Sequence, residues 1–160
     1  MSQEFNSPHL PAMGLVAGLD EEDRLLLSGY GDFLPVQQDQ VLIEEGQTQD
    51  SLYFVISGVL HVHTDNDNKR TLIARVQAGE SLGEINIFDP GTASASVTSK
   101  SFSQVWKATR EDIEAFMVAY PQPGNLLLTA LVREMSRRIR HMNDKLVAVE
   151  AEAAYQNFWD

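Results

Sequence analysis

The sequence predicts a mainly β fold, an antiparallel sandwich or roll with a short helix in front of it and a long helix behind. Between Asp32 and Trp106 the chain breaks into short runs rich in Val, Ile, Phe and Tyr, separated by Gly or by Asp and Asn clusters. Such runs, with no helical pattern between them, pair antiparallel, because a parallel pair needs a long crossover connection. After Thr109 the apolar period becomes that of a helix and stays so to the end.

The elements follow in order. Met1 to Val16, with Pro8, Pro11 and Gly14, reads as a loosely held lead-in. Asp20 then stands as an N-cap before Glu21-Glu22-Asp23, acids that suit the first turn of a helix. A short helix over 21–27 follows, stopped by Gly29 or Gly31. Candidate strands lie at 33–36, 41–43, 52–56, 60–63, 71–76, 94–99 and 103–107. Tyr53-Phe54-Val55-Ile56 is apolar on both faces and belongs at the centre of a sheet. A second short helix, Arg110 to Ala119, is capped by Thr109, and Pro121 and Pro123 read as a hinge before the long helix. The expected organisation is a lead-in over 1–18, a β-roll with short helices over 19–122, a long helix over 123–154 and a tail over 155–160.

In the long helix Leu128, Val132, Met135, Ile139, Met142, Leu146, Val149 and Ala153 alternate steps of four and three. This narrow stripe, flanked by Arg133, Arg138, Arg140, Lys145 and Glu150, is the seam of a two-stranded coiled coil and predicts a homodimer. A helix packed on its own domain shows a broader stripe. Val132 and Ile139, β-branched at one seam position, favour two parallel strands. Phe158 and Trp159 in the tail are aromatics expected to dock against something.

Composition narrows the function. With no cysteine there is no thiolate metal site, cysteine-ligated cluster or thiol nucleophile. No apolar run is long enough to cross a bilayer, and Met1 to Pro11 has no secretory signal, so a cytoplasmic location without membrane contact is expected. The formal charge of −11 disfavours phosphate backbones, and no nucleic-acid contact is expected. That charge is uneven: residues 1–100 carry 5 Lys and Arg against 15 Asp and Glu, and residues 101–160 carry 7 against 8.

The stretch from Gly79 to Val97 is the most informative. It opens with Gly83-Glu84 and continues through the small residues Gly91 to Ser96, which would let a ligand approach backbone N–H groups. Together with Gly46, Leu52 to Gly58, Leu60, Val62, Gly79 and Leu82, these residues resemble the cyclic-nucleotide-binding domain family, which includes the bacterial catabolite activator and the kinase regulatory subunits. The resemblance covers about residues 19–146 and implies a double-stranded β-helix, or jelly roll, a long dimerisation helix, and cAMP or cGMP as ligand.

The resemblance also implies roles. Glu84, beside Gly83 and Ile85, matches the family acid that holds the ribose 2′-hydroxyl, and Ser94 and Ala95 match the pair that helps hold the cyclic phosphate. The family arginine that pairs with the phosphate falls on Ala93 and is absent, so binding is expected to be weak or altered. Lys100, Arg75 and Arg70 are the candidates to replace its charge. The adenine-reading pair falls near Met142 and Asn143. Because the sequence ends at Asp160, no helix-turn-helix is expected after the long helix, which fits a stand-alone regulatory or sensor domain with a separate effector protein as a possible partner.

Two readings compete. In one the pocket is vestigial and the fold serves as a homodimeric interaction module. In the other, less favoured, His61-Val62-His63 is a cupin-type metal pair; but with Leu60 and Val62 facing the core both histidines turn outward, and no glutamate follows at metal-ligand spacing. Haem ligation and Ser-His-acid hydrolysis have no supporting motif, so no enzyme and no metal are expected.

Overall fold

The computed structural model describes residues 8–159, and the side chains of residues 8–158. The first helix, α1, spans Glu21–Ser28, with Asp20 accepting the N–H of Asp23 as its cap. The strands follow: β1 Asp32–Val36, β2 Val41–Ile43, β3 Thr48–Gln49, β4 Ser51–Ser57, β5 Val59–Asn66, β6 Lys69–Gln77 and β7 Ser81–Leu82. A five-residue helix α2, Glu84–Phe88, precedes β8 Gly91–Thr92, β9 Ser96–Ser99 and β10 Ser103–Thr109. Helices α3, Arg110–Ala119, and α4, Pro121–Trp159, complete the chain.

The strands form antiparallel sheets in the orders β1-β10-β4-β7 and β2-β9-β5-β6, with β3 and β8 as a small third pair. This is the expected mainly β roll between helices, and the run 53–56 sits in an interior strand. Strands β4 and β10 are apolar on both faces because each face meets its own core. Tyr53, Val55 and Val105 pack inside the roll with Val36, Ile43, Leu60, Val76, Leu82 and Val97. Leu52, Phe54, Trp106 and Ala108 point the other way, into a core built with Leu27 of α1, Ile113 and Phe116 of α3, and Leu127 and Leu131 of α4.

Four expectations need correction. The lead-in is anchored from Leu10 onward: Leu10, Leu15 and Val16 are buried in the helix-side core, and the Leu10 N–H is held by Ser28 Oγ at 2.8 Å. Pro121 and Pro123 are no hinge; they occupy the first turn of α4, where a missing N–H costs no helical bond. The tail does not leave the helix. Phe158 is exposed on α4, and the side chain of Trp159 lies outside the described residues.

The fourth concerns β5. His61 and His63 do share one face, opposite Val62, but that face is not uniformly wet: His63 is 2% exposed, beside the buried Ser96 and Thr98. Its Nε2 bonds Thr98 Oγ1 across the sheet at 2.8 Å, and its Nδ1 lies 3.4 Å from Asp65 with no hydrogen bond. Among the described residues no three His, Asp or Glu side chains converge as a metal site.

Partial burial, followed by the nearby charges of Lys100, Arg75 and His63, holds the His61 imidazole below its ordinary value of 6.5. The folded chain therefore binds this proton less tightly than the unfolded chain. The stability that His61 confers as a neutral ring is complete above pH 6.5 and declines as pH falls from there through the folded value. Urea unfolding across that window should show the decline, and His61→Asn should flatten it.

Candidate functional site

Gly79 and Glu80 turn the chain out of β6 into β7, which pairs with β4 through Tyr53 to Leu82 and Phe54 to Ser81. Gly83 follows with φ +81°, and a Cβ there would lie 2.2 Å from the Ser51 carbonyl oxygen, so only glycine fits. This turn starts α2 and drives Glu84 inward: the residue is 2% exposed, whereas Ile85 beside it is open to solvent.

A buried carboxylate needs partners. Ser81 Oγ donates to Glu84 Oε1, and Arg138 of α4 donates from Nη1 to Glu84 Oε2 at 2.9 Å. Nη2 of the same guanidinium reaches the Ser81 carbonyl at 2.6 Å, and its Nε lies 3.4 Å from Glu134. One arginine thus ties the β7–α2 turn to the middle of the long helix. From the sequence Arg138 reads as a solvated flank of the coiled coil; the structure turns it toward the roll. Its partner lies 54 positions away, beyond the reach of any local pattern.

The small-residue segment forms the other side. Ala93 is 8% exposed, packs in the roll core, and is locked by its N–H to the Gln47 carbonyl at 2.9 Å and its carbonyl to the Gly46 N–H at 2.8 Å. Ser94 is exposed and Ala95 half-buried, in the bend that leads to β9. Gln49 connects the two sides, pairing with Gly91 while its amide bonds the Ser51 carbonyl beside Gly83. Of the replacement cations, Arg70 is paired with Asp65 at 3.0 Å on the β5–β6 hairpin, and Arg75 and Lys100 lie near His61. Asn143 stands exposed on the outer part of α4, five residues beyond Arg138.

Sequence reasoning therefore places Gly83, Glu84, Ile85 and Ala93 to Ala95 on adjoining segments but misses Arg138 and Ser81. It also misses the face of α4 that meets the roll. Leu127, Leu131, Glu134 and Arg138 repeat in steps of four, three and four, one residue behind the seam stripe. Seam residues Val132, Ile139, Met142, Leu146 and Val149 are all more than half exposed in the single chain, and Leu128 and Met135 are partly so.

A family model described as the cyclic nucleotide-binding domain matches residues 33–120. The chain is 28% identical over 138 residues to a CRP-like cAMP-activated global transcriptional regulator of Mycobacterium tuberculosis, covering 86% of this chain and 60% of the relative. Among solved structures it is similar to the catabolite activator protein of Thermus thermophilus, with TM-score 0.75, 25% identity, and coverage of 85% of this chain and 62% of that one. It is also similar to a cyclic nucleotide-binding domain from Methylobacillus flagellatus, with TM-score 0.74, 26% identity, and coverage of 80% and 72%. The chain thus spans less than two thirds of the regulator from M. tuberculosis. Among the described residues no helix is long and apolar enough to cross a membrane.

Replacing Arg138 by Ala leaves the Glu84 carboxylate buried without its cation. Breaking a fully buried pair costs about 3–5 kcal/mol. Arg138 is 40% exposed, so the expected loss is smaller, about 1–3 kcal/mol. Adding Glu84→Gln should return part of it, and chemical denaturation of the two single variants and the double variant reads the coupling.

Proposed function

The chain belongs to the cyclic nucleotide-binding domain family, and on that premise we propose that it is a regulatory sensor domain whose ligand acts on the long helix through Arg138. The observation that carries this reading is the buried Glu84 carboxylate, bonded to α4 through a single guanidinium. A ribose hydroxyl that donates to Glu84 enters the same network, so occupancy changes the bonds that orient α4. Gly83, Ile85, Ser94 and Ala95 line the approach, and Ala93 stands where the relatives' arginine is expected. A cyclic phosphate therefore meets backbone and hydroxyl groups without a fixed cation, which makes binding of cAMP or cGMP weak or altered in preference.

The module carries no chemistry of its own in this reading. It works as a homodimer through Leu128, Val132, Met135, Ile139, Met142, Leu146 and Val149, whose exposure favours a second copy over water. Asn143 then lies next to the seam, where a partner helix places it within reach of either protomer. Its target is a separate effector protein rather than nucleic acid or a membrane, and its compartment is the cytoplasm. The burial of Ala93 in the core and the pairing of Glu84 within the chain favour a second reading, a dimeric interaction module with a vestigial pocket.

Calorimetry with cAMP and cGMP separates the two. Sensor function predicts measurable binding that Glu84→Gln weakens roughly tenfold or more and Ala93→Arg strengthens by a similar factor. Absence of binding to the parent and to Ala93→Arg alike refutes the sensor. For the dimer, Ile139→Glu should yield a monomer in sedimentation, and an unchanged mass refutes the seam.

A further inference from the structure

On α4 three stripes run side by side. The seam contains Leu128, Val132, Met135 and Ile139, and the roll-facing stripe contains Leu127, Leu131, Glu134 and Arg138. Leu126, Ala130, Arg133 and Arg137 make a third, about 100° beyond the roll-facing stripe, on the side away from the seam. This third stripe walls a cleft of about 320 Å³, closed opposite by the turn at Gly14 to Leu19 and by Gly79 to Ser81. Gly14 approaches Gly79 so closely that a Cβ on it would lie 1.8 Å from the Gly79 carbonyl oxygen, which fixes the floor in backbone. A partner helix on the seam leaves this cleft open.

Four charged side chains line it, and their pairing is uneven. Glu134 is taken by Arg137 at 3.3 Å and Arg138 at 3.4 Å. Among the described residues neither Arg133 nor Glu80 makes a side-chain hydrogen bond or ion pair, although both line the cleft. A lone guanidinium and a lone carboxylate facing one space, with no bond between them, match a ligand that carries both charges. A simple anion is disfavoured by a chain of net charge −11, whereas a zwitterion adds no net charge. Leu126 and Ala130 add apolar surface beside Arg133.

We propose that this cleft is a second ligand site for an α-amino acid with an apolar side chain. The carboxylate pairs with Arg133, the ammonium with Glu80, and the side chain lies on Leu126 and Ala130. The cleft shares Ser81 and Glu134 with the network around Glu84, so the occupied site abuts the bonds that hold α4.

Thermal unfolding of the full chain with millimolar L-leucine and L-phenylalanine tests the assignment. Two leucine analogues, 4-methylpentanoate lacking the ammonium and 3-methylbutylamine lacking the carboxylate, serve as controls. One of the amino acids should raise the midpoint and neither analogue should. Arg133→Ala and Glu80→Gln, both at exposed positions, should keep the ligand-free midpoint while each weakens binding roughly tenfold or more. Four results overturn the proposal: no rise with either amino acid, an equal rise with an analogue, a rise that survives both substitutions, or displacement of the amino acid by cAMP.

Discussion

Strands β4 and β10 have no face turned to water, and the rest of the structure is arranged around that constraint. Alternate side chains of each strand feed two separate cores, one inside the roll and one under the helices. A sheet buried on both sides must be covered on both sides. The N-terminal segment, α1, α3 and the first turns of α4 therefore close over Phe54 and Trp106, while β2, β5, β6 and β9 close over Val55 and Val105. The turn that carries Glu84 is fixed by the same strands, since β7 is the last member of the β4 sheet and Gly83 rests on the Ser51 carbonyl.

From this frame comes an electrostatic obligation. Burying a carboxylate at the edge of an apolar core costs free energy unless donors meet it, and among the described residues of the roll the side chain that donates to Glu84 is the Ser81 hydroxyl. The long helix provides the charge. Arg138 spends its fork on Glu84 and the Ser81 carbonyl together, so the helix is oriented by directional bonds as well as by the packing of Leu127 and Leu131. At the opposite side, Ala93 fills its position with a methyl group packed in the core. The Glu84 side is thus held by ionic hydrogen bonds, and the Ala93 side by backbone hydrogen bonds and apolar contact.

Local chemistry was legible where it acts over a few residues. The Asp20 cap, the Thr109 cap, and the central position of residues 53–56 all follow from neighbouring side chains. Strands β3, β7 and β8, two residues each, are too short to show alternation; partners distant in the chain make them. The prolines of α4 misled because the same residue that ends one helix starts the next. His63 misled because alternation fixes which face a side chain takes but not whether that face is covered. Arg138 reads as solvated from the sequence because the seam dominates the periodicity, and a second stripe displaced by one residue leaves no separate signal.

From residue 141 onward the described residues of α4 are exposed, so the helix leaves the body of the protein near its ionic anchor. From Arg138 to Phe158 an α-helix spans about 30 Å at 1.5 Å per residue. In mechanical terms this is a lever with its fulcrum at one guanidinium. A tilt of about 5° at that pivot moves the far end by roughly 2.6 Å over this length. A displacement too small to disturb the packing of Leu131 becomes, at the tip, nearly as long as a hydrogen bond.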